Sequence, residues 1–320
     1  MAQTNVDPAV DILGADYSAQ TLPLRPDSEG PVVATLVRRL PARQHDRAVL
    51  YLHGFVDYFF HDHTATEFAA HGYDFYALDL RKYGRSLREY QTPFYITDFA
   101  DYDEEIDEAV RIIRDEGHDI VVGYGHSTGG LILPLWAQRR RGQRLIDALV
   151  LNSPFFDLNG TKFERGILTK VVDKVGRLLP RLVVSRLPSP YAQALHVSNG
   201  GEWDFDTRWK SLAAFPVRAG WARAARRAHA RLNAGLDIDV PILVAASARS
   251  GNGREPGPHQ KDSDCVLNVE HMVAGAGRLG SDVTVVRIEA GLHDLTLSPA
   301  PVRAQFFAEM FSWLEGKVRA

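Results

Sequence analysis

Apolar residues in this chain fall into two patterns. The first is a set of short continuous runs: Ala48 to Leu52, Asp74 to Leu78, Ile120 to Val122, Ile146 to Leu151, Val240 to Ala245 and Val283 to Ile288. Runs of this length, rich in β-branched residues, predict strands buried on both faces. Val32 to Arg38 alternates instead, and also predicts a strand. The second pattern has helical spacing. It covers Thr64 to His71, a long acidic segment from Asp98 through Ile106, Val110 and Ile113 to about Glu116, Leu131 to Arg139, and Val302 to Trp313. Asp98 suits the cap of the acidic helix. Pro134 predicts an early kink in the helix that contains it. Strand and helix alternate in order, which predicts a mostly parallel central sheet with helices on both faces.

The alternation breaks in the middle. From about Asn152 to Leu232 no run reads as a buried strand, and prolines and large aromatics (Trp203, Phe205, Trp209, Phe215) are scattered through it. The expected organisation is therefore an irregular N-terminal arm over residues 1–30, an α/β core made of 31–152 and 233–320, and an inserted helical lid over 153–232. Open α/β sheets bind ligands at the carboxyl ends of their strands, so the lid is expected there. Within it Phe163, Ile167, Val171, Val175 and Leu178 or Leu179 share one helical face, with Lys162, Arg165, Lys170, Lys174 and Arg177 elsewhere. That helix either packs on the body or touches a lipid surface. Arg223 to Arg231 reads as a solvated helix face.

Composition narrows the class. Of 320 residues, 45% are hydrophobic and 24% charged, the balance of a soluble globular protein. A net charge of -3 gives no basis for nucleic acid as a partner. The single cysteine, Cys265, excludes an intramolecular disulfide and suits a reducing compartment. Met1 to Asp7 has no basic start or apolar core, so it does not read as a secretory signal. No run reaches the ~20 apolar residues of a membrane span. A cytoplasmic protein is expected.

The candidate chemistry centres on Gly125-His126-Ser127-Thr128-Gly129. This G-x-S-x-G pattern follows a buried run and precedes a helix. The glycines permit a strained strand-to-helix turn that lifts a serine hydroxyl clear of the sheet edge. Ser127 is the candidate nucleophile. It needs a base, and the base needs an orienting acid. Of 12 histidines, His293 lies just after the last strand and is the candidate base. Asp264, after the strand Val240 to Ala245 and ahead of an amphipathic helix, is the preferred acid. Asp262 comes next, and Asp157 is a remote third. The backbone amides of Thr128 and Phe55 are candidate oxyanion donors. Phe59, Phe60, Phe155 and Phe156 either line an apolar acyl pocket or pack in the core. His61 and His63 lack a convincing third ligand, so no metal is expected. Cys265 reads as a small buried filler.

The order Ser127, Asp264, His293 resembles the α/β-hydrolase superfamily. So do His53-Gly54 and the Asp79 to Ser86 segment, which is similar to a D-x-R-G-x-G-x-S motif with Lys82-Tyr83 in its middle. Within the superfamily the chain resembles monoacylglycerol lipases, lysophospholipase-like serine hydrolases and the serine aminopeptidase S33-type group. The residues that carry this are Gly125 to Gly130, Asn152-Ser153-Pro154 and Gly291-Leu292-His293. The departure is the long loop before Asp264, where the family usually has a shorter turn. The resemblance implies an α/β-hydrolase fold, no cofactor, and acyl chemistry on a small ester such as a monoacylglycerol or lysophospholipid. A thioesterase, amidase or acyltransferase would use the same triad. A non-catalytic hydrolase-fold binding protein is the reading from another class.

Overall fold

A computed structural model describes residues 9–157, 173–253 and 257–318. Its main sheet has nine strands: β1 (Ala9–Asp11), β2 (Gly14–Asp27), β3 (Gly30–Arg39), β4 (Arg47–Leu52), β5 (Tyr73–Asp79), β6 (Ile120–His126), β7 (Ala148–Asn152), and, after the inserted segment, β10 (Ile242–Ser247) and β11 (Val283–Ile288). Their spatial order is β1-β2-β3-β5-β4-β6-β7-β10-β11. From β5 to β11 every pairing is parallel; β1, β2 and β3 join antiparallel.

Burial on both sides explains the continuous apolar runs of β4, β5, β6, β7 and β10, whereas β11, at the sheet edge, is half-exposed despite its apolar run. Along β4, Ala48, Leu50 and Leu52 enter one core, and Val49 and Tyr51 enter the other. The first core is covered by α2 (Asp103–Asp115) and α3 (Gly129–Arg139), the second by α1 (Asp62–Ala70) and the final helix, Ala300–Lys317. Asp98 does cap, but it caps a 3-10 turn, Phe99–Tyr102, that leads into α2.

The strand order also locates the site. The chain leaves β4 for β5 on one side and leaves β6 for β7 on the other. Leu52 pairs with Gly125, so the loop after β4 and the turn after β6 emerge side by side at this switch point. Such a crevice is where open α/β sheets receive ligands.

The residues before Gly30 depart from the expected irregular arm, because β1 and the 14-residue β2 form there. Pro23 and Pro26 argue against a strand in sequence. They are accommodated because, among the described residues, β1 reaches only to Ala19 of β2 and the rest of that strand lies on the sheet edge. Leu22 and Leu24 still reach the core.

The segment between β7 and β10 holds more than helices. Its described part contains an antiparallel ribbon of β8 (Val183–Leu187) and β9 (Phe215–Arg218), with α4 (Pro190–Leu195) and α5 (Ala219–Asn233). β8 is exposed along its whole length, so no buried run announced it. Arg227 and Arg231 of α5 face solvent, and Trp221, Ala224, Ala225 and Ala228 pack inward. Most of the amphipathic helix expected from Phe163 lies outside the described residues.

Candidate active site

The turn after β6 begins with Gly125 and closes with Gly129. A Cβ at Gly129 would stand 2.4 Å from the Leu52 carbonyl oxygen, and one at Gly125 would stand 2.6 Å from the Gly129 carbonyl oxygen. Only glycine lets α3 start this close to the ends of β4 and β6. Ser127 at the apex has φ 51°, the strained left-handed conformation. Its amide donates to the Asn152 carbonyl at 3.0 Å, and the Phe155 amide donates to its carbonyl at 2.9 Å, so the turn is stitched to the end of β7.

Ser127 Oγ lies 3.0 Å from His293 Nε2, and His293 Nδ1 lies 2.8 Å from Asp264 Oδ2. This network makes Nδ1 the protonated nitrogen and leaves Nε2 to accept from the serine hydroxyl. The other Asp264 oxygen accepts the amides of Val266 and Leu267, each at 2.8 Å. All three side chains are buried. Asp264 does not sit at a helix start as expected. Asn268 caps the helix α6, Val269–Ala276.

The long loop ahead of Asp264 leaves the acid in reach because its base is pinned. Asp264 N donates to the Arg249 carbonyl at 3.0 Å, and Gly251 N donates to the Asp264 carbonyl at 2.7 Å. The extra residues are an excursion from a closed neck, and Asp264 remains at the end of β10. Asp262 lies outside that neck, where it pairs with Arg249 at 2.5 Å. Asp157 lies 4.0 Å from His271 on α6. Neither belongs to the Ser127–His293 chain.

The amides of Phe55 and Thr128 flank the serine in sequence and across the β4–β6 pair. Among the described residues, no acceptor is hydrogen-bonded to either one. His53 braces the Phe55 loop. Its Nδ1–H donates to the Gly54 carbonyl at 2.7 Å, while its Nε2 accepts the Leu80 amide at 3.1 Å. Burial lowers its pKa, so the ring stays neutral.

A second carboxylate, Asp294, lies beside the site. Burial pushes its pKa up, and attraction to His126 and His61 once these are protonated at low pH, with the Thr296 hydroxyl bond, more than reverses this, so it stays ionised. It accepts from Asn152 Nδ2 at 2.8 Å and from Thr296 Oγ1 at 2.7 Å. His126 points toward this group, with its ring 5.0 Å from that of His293. The inserted segment reaches the site through Tyr191 on α4. Its hydroxyl accepts the Asp294 amide at 2.9 Å, and its ring meets His293 edge-on at 5.8 Å. Sequence reasoning missed Asp294 and Tyr191; the only signal for Asp294 was its position next to His293.

The four phenylalanines of the expected acyl pocket separate. Phe59 packs with Tyr17, Tyr51 and Phe75 in the core, and Phe156 packs on Gly275. Phe60 faces Phe205 of the inserted segment. Phe155 lies parallel to Trp221, on which Phe55 also stacks at 4.0 Å, with Phe94 and Phe215 edge-on to Phe55. An aromatic wall thus adjoins the Phe55 amide. Cys265 is buried, and burial pushes its thiol pKa up. Among the described residues, no group of three His, Cys, Asp or Glu side chains could hold a metal, and no helix is long and apolar enough to cross a membrane.

The central sheet, the strained serine turn and the Ser-His-Asp contact chain define an α/β-hydrolase. More narrowly, the family described as serine aminopeptidase, S33, matches residues 43–256, and the chain belongs to that family. No curated protein matches the sequence. Solved structures similar to it include a monoacylglycerol lipase from Paleococcus ferrophilus, 17% identical over 83% of this chain and 93% of that one, with a TM-score of 0.61. A soluble variant of monoglyceride lipase from Saccharomyces cerevisiae, bound to a substrate analogue, is 14% identical over 92% and 95%, with a TM-score of 0.65. A carboxyl esterase from Bacillus coagulans, bound to glycerol, is 15% identical over 94% and 99%, with a TM-score of 0.64. At these identities the likeness is one of fold.

Proposed function

We propose that this protein is a carboxylic ester hydrolase that works through an acyl-enzyme. The observation that carries the reading is the contact chain from Ser127 Oγ to His293 Nε2 at 3.0 Å and from His293 Nδ1 to Asp264 at 2.8 Å. Ser127 Oγ attacks the ester carbonyl as its proton passes to His293 Nε2. Asp264 remains a carboxylate and stabilises the imidazolium. The Phe55 and Thr128 amides hold the oxyanion. Collapse of the tetrahedral intermediate gives the alcohol the His293 proton. Water, deprotonated by His293, then releases the acid and restores Ser127.

Apolar acyl esters such as monoacylglycerols or lysophospholipids are the substrates we favour. The aromatic wall of Phe55, Phe94, Phe215 and Trp221 beside the oxyanion amide supports this. Leu178, Leu179 and Leu182 of the inserted segment are 66%, 60% and 49% exposed, beside exposed Arg177 and Arg181. They support a lid that makes transient contact with a lipid surface. The buried lone Cys265 suits a cytoplasmic location.

Amide hydrolysis is the second reading, favoured by the family's description. An aminopeptidase needs a free carboxylate for the substrate ammonium. Asp57, the carboxylate of the oxyanion loop, is already paired with Lys210 at 2.6 Å, which weighs against that reading. Hydrolysis of p-nitrophenyl esters from acetate to palmitate, with alanine p-nitroanilide alongside, tests both. Serine-dependent turnover that rises with acyl length is expected. Serine-dependent turnover of the anilide alone would overturn the ester assignment.

A further inference from the structure

The Phe55 amide is followed by Val56, whose φ of 53° lies in the left-handed region. A β-branched side chain is unfavourable there, and such a conformation persists only when its surroundings impose it. The imposing contacts come from the next few residues. Lys210 Nζ donates to Asp57 Oδ1 at 2.6 Å, and both side chains are buried. The Asp206 amide donates to the Tyr58 hydroxyl at 2.7 Å, and the Tyr58 ring meets Trp209 edge-on at 5.0 Å. Phe60 faces Phe205 at 5.1 Å. These three partners belong to residues 205–210 of the inserted segment, while Phe59 between them is held from the core side, its amide donating to Asp79 Oδ1 at 3.1 Å and its carbonyl accepting from Arg85 at 2.9 Å.

The ion pair also lies close to the nucleophile. A Cβ at Gly54 would stand 3.6 Å from Asp57 Oδ2 and 3.2 Å from Ser127 Cβ, so the carboxylate and the serine pack on one glycine. Burial pushes the Asp57 pKa up, and the neighbouring Lys210 more than reverses it, so the carboxyl group is held below its usual range. Replacing a buried ion pair with apolar residues of similar size is often neutral or stabilising, so stability is a weak reason for one here.

We propose that Lys210, acting through Asp57, is a positioning residue for the oxyanion site: docking of residues 205–210 holds the strained backbone that presents the Phe55 amide. This rests on the reading of Ser127 and Phe55 given above. The inserted segment then serves the chemical step as well as substrate admission, and the oxyanion site is complete only when the segment is docked.

The test uses p-nitrophenyl acetate, whose acyl group is too small to need the inserted segment for binding. Lys210→Met alone leaves a buried unpaired carboxylate, so the Asp57→Asn/Lys210→Met double variant, which leaves no charge unpaired, carries the test. A loss in kcat of about 10- to 100-fold is expected with KM little changed. Affinity for phenylboronic acid, whose adduct on Ser127 occupies the oxyanion site, should fall by the same factor. A folded double variant with kcat within about twofold of wild type overturns the proposal. So does a kcat loss without the matching loss of boronate affinity, which marks general loosening. A double variant that fails to fold overturns it too, since the pair is then a requirement of the fold. Ser127→Ala separates the two levels. Wild-type turnover that survives Ser127→Ala defeats the nucleophile assignment itself, whereas serine-dependent turnover indifferent to the pair defeats only the positioning role.

Discussion

The serine turn and the inserted segment that packs against the site are built in opposite ways. The turn is local. Its own residues lie within a few positions of Ser127, and glycines at 125 and 129 let it close: a Cβ would stand 2.6 Å from the Gly129 carbonyl oxygen at the first and 2.4 Å from that of Leu52, on the neighbouring strand, at the second. The inserted segment contributes by reaching back over long sequence separations. Tyr191 touches His293 and Asp294, and Lys210 touches Asp57. The turn holds the reacting atom by backbone shape, and few substitutions there are tolerated. The segment holds its partners by side-chain contacts that can be exchanged one at a time. The lesson is that the position of Ser127, the proposed nucleophile, is specified by sterics, while its surroundings are specified by docking.

This contrast can be broken experimentally, most sharply on the local side. Ser127→Ala or His293→Ala should lower kcat by about 10⁴- to 10⁶-fold while the thermal midpoint stays close to wild type. Collapse of the fold in either variant would mean that the turn's chemistry and its architecture are not separable. Next comes the acid. Asp264→Asn should cost about 10⁴-fold in kcat, because the wrong His293 tautomer is then favoured. Asp262→Asn, on the exposed side of the loop, should stay within about twofold. Equal losses would undo the argument that the pinned neck at Arg249 and Gly251 selects between them.

The docking side predicts smaller changes. Tyr191→Phe keeps the ring against His293 and removes only the acceptor for the Asp294 amide, so turnover should fall by about fivefold. Steady-state kinetics would expose a larger role if the loss reached the level of Asp264→Asn. The smallest effect at neutral pH concerns His61, which is buried with neither ring nitrogen hydrogen-bonded to a described residue. Burial lowers its pKa from 6.5 to about 3. The unfolded chain therefore binds a proton below pH 6.5 that the folded one refuses, and stability falls as pH drops from 6.5 toward 3. The slope from this residue is up to about 1.4 kcal/mol per pH unit. His61→Phe should flatten the fall of the thermal midpoint between pH 6.5 and 4.5, measured by scanning fluorimetry. An unchanged slope would show that His61 stays neutral in both states or charged in both.

Legibility in the sequence followed the same division. Of the main-sheet strands from β3 onward, β4, β5, β6, β7 and β10 were readable because burial on both faces writes a continuous apolar run, as in Val49 to Leu52; β3 was read from its alternation, and β11 carries an apolar run although it is half-exposed at the sheet edge. β2 was not, because Pro23 and Pro26 are permitted only by its edge position, which no local pattern records. β8 was missed because it is exposed. Lys82 has φ 65° where the superfamily motif has glycine, and its fully buried ammonium pairs with Asp27 and Glu29 at 2.5 and 2.7 Å. Its sequence position gave no sign that the β2–β3 hairpin would supply those carboxylates.

By itself, then, the sequence determined the alternating strand–helix order, the serine turn and the rank of His293, because each depends on neighbours along the chain and on steric rules that act over a few residues. The tertiary structure alone set Asp264 rather than Asp262 against His293, sorted the phenylalanines into core and wall, and brought Asp294, Tyr191, Asp57 and Lys210 to the site. Those outcomes depend on which distant segments meet at the β4–β6 switch point. The free energy of such contacts comes from desolvation and hydrogen bonding between groups far apart in the chain, and residue order does not encode their distance.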